Sequence, residues 1–130
     1  MPDCKYCDPE YQKARSELEN ELFFANSDAH PVNPGHMKII PKRHVDSLCE
    51  LTDQEVIALR DLLVMVKGHI DQQHHPDGYN IGYNEGPEAG QTVFHLHIHV
   101  IPRYKGDVRD PSGGIRTIIP ERGNPYKYPK

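Results

Sequence analysis

Three histidines, His95, His97 and His99, fall on every second position of the run His95-Leu96-His97-Ile98-His99-Val100. Read back to Phe94, the alternation predicts one strand with an apolar face of Phe94, Leu96, Ile98 and Val100 and an opposite face of imidazoles. At a rise of about 3.3 Å per residue, successive imidazoles stand roughly 7 Å apart along such a strand, so a phosphate-sized group can touch more than one. The same spread works against all three closing on a single ion at Zn–N distances of about 2.0–2.1 Å. A neutral imidazole is a competent nucleophile near pH 7, and water can cleave its phosphoramidate. Cys4-Lys5-Tyr6-Cys7 carries the other chemical spacing, in which two thiolates grip one metal ion but supply only two of the four ligands of a closed zinc site. With Cys49 the cysteines number 3, an odd count that argues against a disulfide framework; Cys49 has no assigned role, and a cysteine of this kind is most often a small apolar packer.

The elements that must hold these residues are legible in the pattern. Leu22 to Asn26 and His36 to Ile40 predict two antiparallel strands around the proline- and glycine-bearing turn Asp28-Ala29-His30-Pro31-Val32-Asn33-Pro34-Gly35. Thr52-Asp53-Gln54-Glu55 has the form of a capping box, with Leu51 and Val56 placed as a hydrophobic staple. Val56, Leu59, Leu62, Leu63, Val66 and Ile70 then recur at helical intervals, predicting an amphipathic helix over 52–75 that covers one sheet face and ends before Pro76. Tyr79 to Tyr83 reads as a strand and Glu85 to Gly90 as a loop, with the triad strand completing the region 79–101. Residues 8–19 favour a short helix, and the glycines and prolines of 102–130 predict an extended basic tail lying over the body. The expected fold class is α+β, an antiparallel sheet with one major helix, in a single domain spanning 1–130.

Composition bounds the function. The chain has 130 residues, 36% hydrophobic and 26% charged, with a mean hydropathy of -0.73, which suits one small soluble domain. No apolar run approaches the roughly 18 to 20 residues of a membrane helix, and Asp3 and Cys4 follow Met1 too closely for a signal peptide, so a cytoplasmic location and no membrane partner are expected. A net charge of -4 argues against a stable nucleic-acid partner. The charge is uneven: residues 1–100 hold 8 Lys and Arg against 16 Asp and Glu, whereas 101–130 hold 7 against 3, a basic tail that either receives an anion or is simply solvated. Histidine, at 9 residues, is in clear excess.

His95 to Ile101 resembles the His-φ-His-φ-His-φ-φ signature of the histidine triad superfamily of nucleotide hydrolases and transferases. Asn84 and Gly86-Pro87-Glu88-Ala89-Gly90-Gln91-Thr92 are similar to the fragile histidine triad branch, and Pro34-Gly35-His36 and Ile40-Pro41-Lys42-Arg43-His44 sit at the family's spacing. The resemblance implies that His97 is the nucleophile attacking an α-phosphorus, that His99 contacts the phosphate and assists the leaving oxygen, and that His36 orients the triad. It further implies nucleotide binding by Asp28 at the ribose and by Asn84, Gly90, Gln91 and Thr92 at the phosphates; for Gln91 a turn-forming role competes. Arg103, Lys105, Arg109 and Arg116 become candidates for distal phosphates.

Zinc-bearing branches of the superfamily join a Cys-x-x-Cys to two histidines, which here are Cys4, Cys7, His44 and His95. The resemblance thus implies a structural Zn²⁺, a homodimer, and hydrolysis of a phosphoanhydride or phosphoramidate, with dinucleoside polyphosphates as the leading substrates. A nucleotidyltransferase or phosphorylase of the same superfamily, and a zinc-stabilised nucleotide-binding module, are the competing readings. His30, His69, His74 and His75 carry no motif and are expected at the surface.

Overall fold

A computed structural model describes residues 4–123. Cys4 enters a single 3-10 turn over Lys5–Cys7, and α1 (Pro9–Arg15) follows. The Asp8 carboxylate caps α1 by accepting from the Glu10 amide at 3.0 Å, and Pro9 occupies a first-turn position that needs no donor. The helix is shorter than the predicted 8–19, because Leu18–Glu19 instead forms a short strand, β1, with Leu18 opposite Ala25. The chain continues through β2 (Phe23–Ser27), β3 (Met37–Pro41), α2 (Asp53–His74), β4 (Gly78–Gly82) and β5 (Ile98–Arg103). The strands form one antiparallel sheet in the order β1-β2-β3-β5-β4, so the α+β class expected from the sequence is the one observed.

Period-two alternation sends Phe23, Ala25, Met37, Ile39 and Val100 to one face, where Leu62, Val66 and Ile70 of α2 cover them. Phe24 and Ile40 point to the other face and pack on Tyr6. Helix α2 begins where the sequence places it. The Glu55 amide donates to Thr52 Oγ1 at 3.1 Å and the Thr52 amide donates to Glu55 Oε1 at 2.9 Å, which completes the capping box. The staple does not form as expected, since Leu51 packs on the core while Val56 faces solvent. Glu55 takes the buried position because Arg43 grips its carboxylate at 2.7 and 3.0 Å.

The triad strand also departs from the even alternation. β5 starts only at Ile98, and Phe94 is 53% exposed rather than part of the core face. Residues before Ile98 bend so that the Leu96 amide donates to the Val45 carbonyl at 2.7 Å and the His95 ring reaches the Pro41 carbonyl at 2.7 Å. Leu96 is thereby buried beside Val45, and the turn preceding it leaves Phe94 outside. Beyond β5 the tail is not extended, for it forms 3-10 turns over Gly114–Ile118 and Pro120–Arg122; residues 124–130 of the predicted tail lie outside the described residues. Among the described residues no helix is long and apolar enough to cross a membrane.

Candidate active site and metal centre

The hydrogen bonds of the four histidines assign a proton to each ring. The Val32 amide donates to His36 Nδ1 at 3.2 Å, so the neutral His36 ring carries its hydrogen on Nε2. That Nε2–H faces His99 Nδ1 at 2.9 Å, which makes His99 Nδ1 the acceptor and leaves an N–H on His99 Nε2. His97 Nδ1 lies 2.9 Å from the carbonyl of His95, and a carbonyl can only accept, so the His97 lone pair is on Nε2. The rings of His97 and His99 stand 5.2 Å apart between centroids. The outcome is a nucleophile-competent nitrogen beside a neutral donor. Burial holds His36, His97 and His99 below the ordinary imidazole range, His99 down to about 4, so this arrangement is the neutral one at pH 7.

Asp28 closes the far side of this group, with Oδ2 at 3.6 Å from His36 Nε2 and 3.7 Å from His99 Nδ1. Burial opposes its charge, but the His30 amide and the neighbouring His36 and Lys38 hold the carboxyl below its usual range.

His95 turns the opposite way from its two neighbours. Its Nε2–H donates to the Pro41 carbonyl, which leaves the Nδ1 lone pair aimed at Cys4 Sγ (3.2 Å) and Cys7 Sγ (3.3 Å). His44 Nδ1 lies 3.2 Å from Cys7 Sγ, and the four ligand atoms all fall within 4.8 Å of one another. A tetrahedral zinc with Zn–S of about 2.3 Å and Zn–N of about 2.0–2.1 Å needs sulfur–nitrogen separations near 3.6 Å, so these residues fit the ion after small adjustments. Burial and the adjacent Cys4 sulfur push the Cys7 thiol up to about 11, the behaviour of two thiols packed together, and a divalent cation is what allows such a pair to ionise.

The remaining sequence candidates divide. Asn84 borders a cavity of about 460 Å³ that His99 also lines. Gly90 has φ +97°, a left-handed conformation that glycine adopts without strain, and a Cβ there would stand 3.7 Å from Asn84 Nδ2. Gln91 is buried in its own loop, where Oε1 accepts from the Gly86 amide at 2.8 Å and Nε2 donates to the Val93 carbonyl at 3.3 Å, so its amide is engaged in shaping the turn. Thr92 is exposed in a different cavity, beside Cys4 and His44. The tail cations divide: Arg103 lines the same cavity as His99, whereas Lys105 and Arg109 line a different one. Arg103 is spent on Asp107 (2.8 and 2.9 Å) and Asn80 (2.6 Å), and Arg116 on the carbonyls of Gly123 and Arg122.

Two residues that the sequence did not mark stand at the site. Tyr6 contacts His95 and His97 edge-on, at 5.6 and 5.5 Å between centroids, and Lys38 pairs across the sheet with His99. Spacing along one strand did not mark Lys38, because the register between β3 and β5 is what sets it opposite His99.

Comparison with known proteins bears on the family and the fold. The family model for the HIT domain matches residues 12–106. An uncharacterized 16.1 kDa HIT-like protein of Mycoplasma pneumoniae is 41% identical over 87 residues, which are 67% of this chain and 60% of that protein, so the chain matches less than two thirds of that relative's length. A protein of Dictyostelium discoideum named bis(5'-adenosyl)-triphosphatase is 39% identical over 108 residues, covering 83% of this chain and 72% of that one. The crystal structure of a Zn-bound histidine triad family protein from Mycobacterium smegmatis is similar at a TM-score of 0.70 and 33% identity, over 85% of each chain. The domain match extends across most of the sequence and includes all three histidines of the triad, and the chain belongs to the HIT-domain family.

Proposed function

We propose that the chain is a nucleotide hydrolase that cleaves a phosphoanhydride or phosphoramidate at the α-phosphate, with dinucleoside polyphosphates as the leading substrate class. The observation that carries this reading is the run of hydrogen bonds from Val32 through His36 to His99, which leaves a lone pair on His97 Nε2 beside a donor on His99 Nε2. In the first step, for a phosphoanhydride, the His97 lone pair forms a P–N bond while the bond from phosphorus to the leaving oxygen breaks, and that oxygen departs as a phosphate anion accepting a hydrogen bond from the His99 Nε2–H. In the second step water attacks the nucleotidyl-histidine, the P–N bond breaks with its electron pair returning to His97 Nε2, and the mononucleotide leaves as the water's proton passes to solvent. His36 is a positioning residue, since it fixes which nitrogen of His99 carries the proton. The name of the Dictyostelium relative supports an adenosine dinucleotide as substrate.

Cys4, Cys7, His44 and His95 would hold Zn²⁺ as a closed structural site, tying the N-terminal turn to the residue that precedes the nucleophile by two. The proposed working form is a homodimer.

The test is purified protein assayed on diadenosine polyphosphates, adenosine phosphoramidates and adenylylated lysine, each with and without added phosphate. Release of adenosine monophosphate from a dinucleotide without phosphate is the expected result. A strict requirement for phosphate would replace the hydrolase by a phosphorylase, and tight binding without turnover would leave only a nucleotide-binding module.

A further inference from the structure

A row of polar side chains crosses the sheet on its imidazole face. Asn26 of β2 stands opposite Lys38 of β3, and Lys38 stands opposite His99 of β5. Residues directly opposite on antiparallel strands project to the same side with Cβ atoms roughly 4.5–5.5 Å apart, so the three lie in line. Lys38 is only 8% exposed and Asn26 1%. The Lys38 ammonium donates to Tyr6 Oη at 3.1 Å and lies 5.3 Å above the ring, and this is its one hydrogen bond among the described residues, although an ammonium has three donors. Neither Nδ2 nor Oδ1 of Asn26 has a partner among the described residues. Buried donors and acceptors left in this state are costly, and a polar ligand presented to this row would satisfy them.

The charge around the row favours an anionic partner for Lys38. Asp28 brings a negative charge to this face, and Arg103 and Arg116 are held by other groups, Arg103 by Asp107 and Asn80 and Arg116 by the carbonyls of Gly123 and Arg122. Lys5 reaches the Tyr6 ring at 5.2 Å but is exposed to solvent. Lys38 is therefore the buried cation of this face among the described residues, and no ion pair joins it to Asp28 or another described carboxylate. We propose that Lys38 is a further substrate-binding residue, whose ammonium leaves the Tyr6 hydroxyl to contact the non-bridging oxygens of the phosphoryl group presented to His97, with Asn26 and Tyr6 as its positioning residues. The proposal rests on the phosphoryl-transfer reading of the site. Preorganised positive charge of this kind is what a group carrying spread negative charge requires.

The experiment compares calorimetric binding of adenosine 5'-monophosphate with that of adenosine, which lacks the phosphoryl group, on the full chain. Lys38→Met is expected to weaken the nucleotide by about tenfold or more and the nucleoside by less than about threefold, while Lys38→Arg stays within about threefold of wild type for both. Asn26→Asp supplies a second variant of nearly unchanged shape, whose carboxylate captures the ammonium in place; it is expected to weaken the nucleotide by about tenfold as well. Unchanged nucleotide affinity in Lys38→Met or Asn26→Asp overturns the proposal and leaves Lys38 as a counter-charge for Asp28. Equal losses for nucleotide and nucleoside also overturn it, since they report a collapsed pocket. If wild type itself shows no preference for the nucleotide, the phosphoryl-transfer reading fails and takes this proposal with it.

Discussion

Two histidines separated by a single residue are given different chemistry by the carbonyl each one meets. His95 spends Nε2–H on Pro41 and offers Nδ1 to the sulfurs, whereas His97 spends Nδ1–H on the carbonyl of His95 and keeps Nε2 free. A variant at each position separates metal from nucleophile. His97→Ala is expected to abolish the proposed nucleotidyl-enzyme while zinc content and melting temperature stay near wild type, because among the described residues the His97 ring hydrogen-bonds only through Nδ1. His95→Ala is expected to lose zinc and stability together, since removing a metal ligand weakens a site whose binding energy contributes to folding. Zinc stoichiometry, thermal unfolding and single-turnover cleavage measured on both variants decide the assignment. Equal zinc loss in the two would mean the triad is divided wrongly, and cleavage by folded, zinc-replete His97→Ala would remove the nucleophile.

At the scale of the element, the start of α2 does more than begin a helix. Glu55 caps Thr52 and at the same time receives both nitrogens of the Arg43 fork, so it fastens the segment carrying His44 to the helix. The Arg43 guanidinium is the main cause that holds the Glu55 carboxyl down at about 2. A depressed carboxyl contributes stability that is fully present above its ordinary value near 4.5 and is lost as pH falls towards about 2. Thermal unfolding of Glu55→Gln against wild type should therefore show a stability gap that is widest at neutral pH and closes on acidification through that window; a gap independent of pH would show that the ion pair is not the cause. Thr52→Ala is expected to cost about 1 kcal/mol by loss of the cap alone. This cap was legible in the sequence because both of its bonds join residues three apart. The exposure of Phe94 was not, because it is imposed by bonds to Val45 and Pro41, some fifty residues away in the chain. The row of Asn26, Lys38 and His99 was hidden for the same reason, since register between strands, and not spacing along one, brings those side chains together.

The whole molecule leaves apolar surface that a lone small domain has little reason to keep. Ile57 and Val64, one heptad apart on the outer side of α2, are 58% and 63% exposed, and Met65 is exposed beside them. β4 is an edge strand whose five residues are all half-buried, so one side of its backbone is unpaired in the sheet. A second copy packed on these features would shield both, and a stable interface needs only about 800 Å² from each partner, against a chain surface of 8650 Å². Light scattering at micromolar concentration is expected to give about twice the chain mass of 14.9 kDa. Val64→Glu is the informative variant, because a glutamate at an exposed helix position costs the isolated chain little but places an unpaired charge inside the interface. It should shift the protein to monomer with its melting behaviour made independent of concentration. A wild-type chain that is already monomeric, or a Val64→Glu variant that stays dimeric, would place the association elsewhere or dismiss it.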